Sequence, residues 1–448
     1  MDTKDRETKD RHEMWDPDVT YVIGHQRPDT DAIASALGYA WFLTKMGQER
    51  IVSIRAGQPV EQTTYALKRF EQEPPRLMTG VAPTFGHVAR KQQTVSPETS
   101  LSEAITLLAA GERVVPVVDE LGRPYGIVTP MALARACSMP YSGGPNPFTQ
   151  PCKSVVEEAL TFHAQDRISD HRASLLRSDV DDFLIVDAQE RFIGVATRRR
   201  ILEPPRAKLI LVDHNEIQQA ISGADEADIV GVLDHHRLGN ASTALPIPFV
   251  VEPVGSTCTL VAEHCRLNEL DPPLGIAGML LSGILSDTLV LRSPTTTDRD
   301  RHIARWLADL CCVDIKQYGD DLLRAAPGLA ERPADEIADA DRKHYEMGGK
   351  SVSIAQVEIT GFQELPQRRD ELLATLTRQC RAEGLALACL MVTDVVQGVS
   401  HLLCQGDSWV LASLPFARIS EYEFDLDDIV SRKKQLVPTL HAVMEESR

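Results

Sequence analysis

Two hydrophobic periods alternate along the chain. The short runs "VTYVIGH", "RIVSIRAG", "KLILVDHN", "DIVGVLDHH" and "IPFVVEP" are apolar almost throughout and rich in β-branched residues, so each reads as a strand buried on both faces. The segments "TDAIASALGYAWFLTKMG" and "STCTLVAEHCRL" carry their apolar residues at helical spacing instead. Strands alternating with helices predict an α/β fold built on a doubly wound parallel sheet.

The alternation breaks between the second and third of these strands, and the break contains a duplication. "PVVDELGRPYGIVT" (Pro116–Thr129) and "LIVDAQERFIGVAT" (Leu184–Thr197) match at an offset of 68 residues. Each reads as strand, polar turn, strand. A helix-like stretch precedes each copy ("SLSEAITLLAAG", "ISDHRASLLRSD") and another follows. A unit made twice inside another pattern predicts an inserted domain. Beyond residue 325, "LAERPADEIADADRKH" reads as a polar helical connector. A second α/β region follows, with strands in "SVSIAQVEI", "LACLMVTDV" and "HLLCQGD" and the basic ending "SRKKQLVPTL". The expected division is a polar tail over 1–18, a parallel-sheet domain over 19–75 and 205–325, the inserted pair over 76–204, and a C-terminal domain over 335–448.

Composition changes this picture in three ways. The chain has 448 residues with 43% apolar content, but no apolar run long enough to span a membrane and a wholly polar start, so the expectation is a cytoplasmic protein without a membrane partner. Its nine cysteines include no CxxC pair, which argues for reduced core thiols over a disulfide framework or a cysteine-zinc site. A net charge of -18 disfavours nucleic acid as a partner, and requires that any anionic ligand be met by concentrated lysine, arginine or metal.

Carboxylates and imidazoles cluster at the ends of predicted elements: His25, Asp29 and Asp31; Asp213 and His214; Asp234, His235 and His236; and Asp287. In an open parallel sheet, the carboxyl ends of the strands line one ligand crevice, so the clusters can converge. Each alone has a plainer reading, since Asp29 or Asp31 suits the cap of the helix that follows. Together, with no thiolate among them, they suit divalent ions such as Mn²⁺ or Co²⁺. One ion cannot use them all. A carboxylate shared from Asp213 would hold two metals about 3.5 to 4 Å apart. The run Arg432, Lys433, Lys434 meets the charge requirement, because a guanidinium beside a lysine suits capture of a terminal phosphate. Its plainer reading is a solvated helix end.

The motifs "GHQRPDTD", "VDHNE", "LDHH", "GSTCTL", "GILSDTLVLRSPTTTDRD" and "SRKKQLVP", in that order, resemble the family II, manganese-dependent inorganic pyrophosphatases of the DHH superfamily. The insert resembles a tandem CBS-domain pair. The resemblance implies hydrolysis of pyrophosphate to two orthophosphates by a metal-bridged hydroxide. It places His25 and Asp29 on one ion, Asp31 and His235 on the other, Asp213 between them, and Asp287 at the second ion, with Asp287 or another metal-bound carboxylate helping to deprotonate the water. His236, Lys343, Arg432 and Lys433 would hold substrate phosphates, with His236 assisting proton transfer and additional Mg²⁺ arriving with the substrate. The insert implies regulation by AMP, ADP or ATP, with Arg198, Arg199 and Arg200 toward the phosphates, in a homodimer or higher homo-oligomer.

Two departures stand against the pattern. Val60 and Gln62 occupy an Asn-x-Glu-Thr motif, and Ala132 and Arg200 stand where adenosine-binding CBS motifs carry a ribose aspartate. The competing readings are a DHH-type exopolyphosphatase or phosphodiesterase, and a nucleotide sensor with a dead site. The phosphodiesterase reading lacks its glycine-rich GGGH-like motif, and a dead site would lack ligands where all six are present.

Overall fold

The computed structural model describes residues 14–138, 147–239, 243, 245–325, 328–330, 332–359, 361–394, 397–427 and 429–446. Most of the tail predicted over 1–18 lies outside them. The chain opens with β1 (Thr20–Ile23), α1 (Thr30–Lys45), β2 (Ile51–Arg55), α2 (Glu61–Arg69) and β3 (Arg76–Leu77). The insert follows with α3 (Phe85–Val88), α4 (Leu101–Ala109), β4 (Val115–Val118), β5 (Pro124–Val128), α5 (Pro130–Ser138), β6 (Thr161–His163), α6 (Ile168–Arg177), β7 (Asp182–Val186), β8 (Phe192–Thr197) and α7 (Arg198–Leu202). The first pattern then resumes with β9 (Lys208–Val212), β10 (Asp228–Asp234), β11 (Phe249–Val251), α8 (Thr257–Leu267), α9 (Leu274–Asp287), α10 (Asp298–Cys311) and α11 (Ile315–Arg324).

Six parallel strands form one sheet in the order β11-β10-β9-β1-β2-β3. The order runs outward from β1 in both directions, so the carboxyl ends of β1 and β9 flank a topological switch point, where open sheets hold their ligands. Both faces are buried, which explains the unbroken apolar runs: Val22 joins one core, Tyr21 and Ile23 the other. The first core is made with α1, α2 and α8 to α11. Trp15, Met78, Val81, Ala220 and Ile221 close the second. Helices α1 and α9 approach closely because Gly38 leaves room for Leu280, whose Cδ2 would lie 2.6 Å from a Cβ placed there. That contact sets the position of α9, which ends on Asp287.

The duplicated insert folds as two helix-hairpin-helix units. The hairpins β4–β5 and β7–β8 are antiparallel, and they meet through Val114, Ile127, Leu184 and Val195. The strand β3 pairs with β2, so the catalytic sheet reaches two residues past 75. The helical connector predicted after 325 is shorter than its pattern suggested. Among its described residues only α12 (Ala334–Ala338) is helical, and Lys343 and His344 already belong to β12 (Lys343–Met347). The cause is the pair Gly348 and Gly349, both at positive φ, which turns β12 back onto β13 (Lys350–Ile359). The C-terminal sheet has the order β12-β13-β14-β15-β17-β16, with β14 at Leu387–Asp394, β15 at Val399–Gly406, β16 at Ala417–Ser420 and β17 at Glu423–Asp425. Helix α13 (Leu365–Glu383) packs on its β14 and β15 strands; α14 (Ser408–Ser413) follows β15, and α15 (Val437–Glu446) ends the described chain. Among the described residues no helix is long and apolar enough to cross a membrane.

Candidate metal centre

Five segments deliver side chains to the switch point. The loop after β1 brings His25 and Asp29, and the first turn of α1 brings Asp31. The end of β9 brings Asp213, the end of β10 brings His235 and His236, and the end of α9 brings Asp287. Asp213 lies at their middle. Its Oδ2 is 3.6 Å from His25 Nε2, which is itself 3.5 Å from Asp29 Oδ2. Its Oδ1 is 3.4 Å from His235 Nε2, which is 3.6 Å from Asp287 Oδ2. Among the described residues three donor groups result: His25/Asp29/Asp213 and Asp31/Asp213/His235/Asp287, which share only Asp213, and Asp213/His235/His236, each with its donor atoms within 4.8 Å of one another.

The donor chemistry fits cations. Among the described residues, Asp213 Oδ2 and His235 Nε2 are buried with no hydrogen-bond partner, which would be costly unless another ligand meets them. His235 Nδ1 lies 3.1 Å from the Val254 carbonyl oxygen. A carbonyl only accepts, so Nδ1 carries the proton and Nε2 turns its lone pair to the centre. Burial, then the charges of Asp31, Asp29 and Asp287, hold the Asp213 carboxyl well above the usual carboxylate range. Burial, then Asp31 and Asp29, do the same to Asp287. These raised values state electrostatically that the site lacks positive charge. Asp213 also has φ +61, a left-handed backbone that aims its carboxylate between the first two groups.

Neighbouring residues fix the ligands. Asp29 does what its plainer reading predicted, since its Oδ1 accepts from Ala32 N at 2.9 Å as the cap of α1, while Oδ2 stays with His25. Asp31 accepts from Ser256 Oγ at 2.7 Å, Thr257 N at 2.7 Å and Cys258 N at 3.0 Å, all at the start of α8. Gly283 makes room for it: a Cβ there would lie 2.8 Å from Asp31 Oδ1. Asp234 is fully buried and accepts from His236 Nδ1 at 2.9 Å and from Asn215 Nδ2 at 2.5 Å. That hydrogen bond raises the His236 pKa and leaves Nε2 as its outward atom. His214 stands apart, because burial pushes its pKa down to about 4 and its Nδ1 faces the Val212 carbonyl at 2.9 Å. Gln62, one of the departures, accepts from Ser286 Oγ at 3.1 Å beside Asp287. Asn215, Ser256 and Thr257 went unassigned in the sequence, although Ser256 before an apolar helix is a recognisable cap signal.

A cleft of about 810 Å³ opens between the end of α9 and the C-terminal domain. Arg292, Ser293 and Leu289 line one side, and Gln356, Arg432 and Lys433 the other. Leu289, Val290 and Leu291 all have positive φ, between +49 and +64, and this left-handed turn carries the chain from Asp287 straight into the cleft wall. Arg432 is almost fully buried and pairs with Asp341 Oδ2 at 2.7 Å; Lys343 Nζ reaches the other oxygen of Asp341 at 3.6 Å. Arg432 and Lys433 thus share the cleft, whereas Lys343 and His236 are outside its lining. In the insert, Arg198 is engaged internally with Asp181, at 3.1 Å, and with the Leu175, Ser178 and Val180 carbonyls. Arg199 and Arg200 are exposed.

The model of the DHH family N-terminal domain matches residues 19–284, and that of the DHHA2 domain matches residues 320–443. A probable manganese-dependent inorganic pyrophosphatase of Thermotoga maritima is 28% identical, covering 96% of this chain and 99% of its own. One of Lactobacillus delbrueckii subsp. bulgaricus is 39% identical over 53% of this chain and 77% of its own. Among solved structures, a putative family II inorganic pyrophosphatase of Methanococcus jannaschii shares the fold at a TM-score of 0.52, with 22% identity over 95% of this chain and 99% of its own.

Proposed function

The chain belongs to the DHH family, among its manganese-dependent inorganic pyrophosphatases, and from that membership we propose that it hydrolyses pyrophosphate to two orthophosphates at the Asp213 centre. The observation that carries the reading is the division of one buried carboxylate: Asp213 Oδ2 faces His25 and Oδ1 faces His235. His25, Asp29 and Asp213 would hold one Mn²⁺ or Co²⁺, and Asp31, Asp213, His235 and Asp287 the other. Bound there, two such ions supply a water of lowered pKa and positive charge for the phosphoryl oxygens. His236, whose Nδ1 is committed to Asp234, offers Nε2–H to a substrate oxygen and can pass that proton to the departing phosphate. Arg432 and Lys433 add charge from the opposite wall of the cleft, with Lys343 behind them on Asp341.

Phosphate release from pyrophosphate, tripolyphosphate and a dinucleotide, each with Mn²⁺, Co²⁺ or Mg²⁺, tests this. Pyrophosphate with Mn²⁺ or Co²⁺ should be the best pair. Preference for tripolyphosphate would turn the reading to an exopolyphosphatase, and preference for the dinucleotide to a phosphodiesterase.

We further infer that the insert binds AMP, ADP or ATP and sets the rate. What supports this is its place: Arg167 Nη2 of the insert donates to Ser222 Oγ at 2.8 Å, and the same loop holds Gln26, beside His25, through Gln219 O at 2.7 Å. A nucleotide acts only through unequal affinity for two arrangements, and a coupling of about 1 to 3 kcal/mol would change activity roughly five- to 150-fold. Calorimetric titration of the full chain, with rates measured in parallel, should show binding that Arg199→Ala and Arg200→Ala weaken. Unchanged rates and no heat with all three nucleotides would leave the insert as a structural dimerisation element.

A further inference from the structure

Two of the sequence motifs have no ligand to account for them. "GSTCTL" is Gly255–Leu260, and "TTTDRD" is Thr295–Asp300. One carboxylate joins them. Asp300, fully buried, accepts from Gly255 N at 3.0 Å and Thr259 Oγ1 at 2.6 Å on Oδ1. On Oδ2 it accepts from Gly255 N at 2.9 Å and from Thr297 N and Oγ1, both at 2.7 Å. Within α10 this is a capping box with Thr297, which is explanation enough for the Oδ2 contacts to Thr297. It does not explain the reach to α8. Gly255 is what permits that reach, because a Cβ there would lie 2.9 Å from Asp300 Oδ2 and 2.6 Å from Thr288 Cγ2.

The residues after Gly255 hold the metal centre. Ser256 Oγ, Thr257 N and Cys258 N together occupy both oxygens of Asp31, and Thr257 Oγ1 donates to Asp213 Oδ1 at 3.1 Å. We propose that Asp300 is a positioning residue of the cation centre: it pins the Gly255–Thr257 turn, and the turn aims the Asp31 carboxylate. The contacts run on one side only. Apart from Asp300 itself, the turn reaches Asp31 and the Asp213 Oδ1 that faces His235, while His25 and Asp29 are held from β1 and α1 and His25 meets Asp213 on Oδ2. Loss of Asp300 should therefore weaken the cation held with Asp31 and leave the one held with His25 and Asp29. Groups behind a ligand typically matter 10- to 100-fold in metal affinity, because a carboxylate that can swing gives up part of its interaction to stay ordered. The inference rests on the two-cation reading above.

The test uses the full-length chain stripped by chelation and titrated with Mn²⁺, with bound ions counted by calorimetry and elemental analysis. Asp300→Asn keeps the shape but removes one acceptor and the charge. Its expected result is one site weakened roughly 10- to 100-fold and the other unchanged. Thr297→Ala removes the cap of α10 but leaves Asp300 on Gly255 and Thr259, so it should lower the melting temperature without separating the two sites. Should Asp300→Asn fail to fold, Thr259→Val deletes one donor to Asp300 at nearly constant volume and should weaken the same site by a smaller factor. Equal affinities in the Asp300 and Thr259 variants and the parent, or equal weakening by Thr297→Ala, would overturn the positioning role. A parent that binds fewer than two ions would instead overturn the two-cation reading.

Discussion

Asp213→Asn will lose tight binding of both cations and nearly all pyrophosphate hydrolysis while the chain stays folded. Each oxygen of Asp213 faces a different histidine, His25 at 3.6 Å and His235 at 3.4 Å, so one substitution reaches both donor groups. An amide has the same shape but only one oxygen, and no charge to offset two divalent ions. Losing several kcal/mol of charge stabilisation corresponds to on the order of a thousandfold in rate, at about 1.4 kcal/mol per decade. Asparagine tolerates the φ of +61 found here, so the backbone has no reason to move.

The metal-free stability of the same variant should change in the opposite sense. In the parent, burial and then Asp31, Asp29 and Asp287 raise the Asp213 pKa, so the folded state binds this proton more tightly than the unfolded chain does. Stability of the metal-free parent therefore falls as pH rises from the unfolded carboxylate value of about 3.9 through the higher folded one. Asp213→Asn removes that share of the loss. Thermal melts in chelator should show the variant at least as stable as the parent at neutral pH, with a shallower decline above pH 4. If it binds two Mn²⁺ ions and turns over like the parent, the shared-carboxylate centre is wrong.

How much of this was legible in the sequence follows from where each interaction lies along it. His25, Asp213 and His235 each end a recognisable apolar strand, and parallel strands deliver their ends to one edge, so local pattern and one topological rule bring them together. Asp300 is different. It lies 45 residues from Gly255 and reads locally as an ordinary capping-box residue, which it also is. Nothing in the spacing says that its other oxygen will cross to a second helix. The left-handed turn Leu289–Leu291 was hidden for a related reason, since Leu and Val disfavour positive φ. It is held by long-range packing: Gly319 leaves the hole that Val290 fills, and a Cβ there would lie 2.5 Å from Val290 Cγ1. Arg198 shows the converse. In the sequence it is one of three adjacent arginines, but the fold surrounds it with carbonyls and Asp181, and only Arg199 and Arg200 face solvent.

Lys433→Ala should cut kcat/KM for pyrophosphate roughly 100- to 1000-fold and leave both cations in place. Arg432 and Lys433 are adjacent but differently committed. The Arg432 guanidinium is buried on Asp341 and the Ile354 carbonyl, so truncating it would disturb the domain as well as the cleft. The Lys433 side chain is exposed, lines the cleft and makes no ion pair among the described residues. Its charge is available to an anion in a chain whose net charge is -18, where the surrounding field otherwise repels pyrophosphate. Removing that point charge takes away attraction for the substrate's terminal phosphate, and more of it in the transition state, where charge on the departing oxygens grows. The parent's KM should also rise with salt more steeply than the variant's, because an exposed charge is screened over about 10 Å at 0.1 M. Steady-state rates across a salt series, with Mn²⁺ counted in the same preparations, separate this from a structural loss: turnover must fall while two ions remain. Metal loss with unaltered kcat and KM would place Lys433 with the fold of the centre and take it out of the substrate's path.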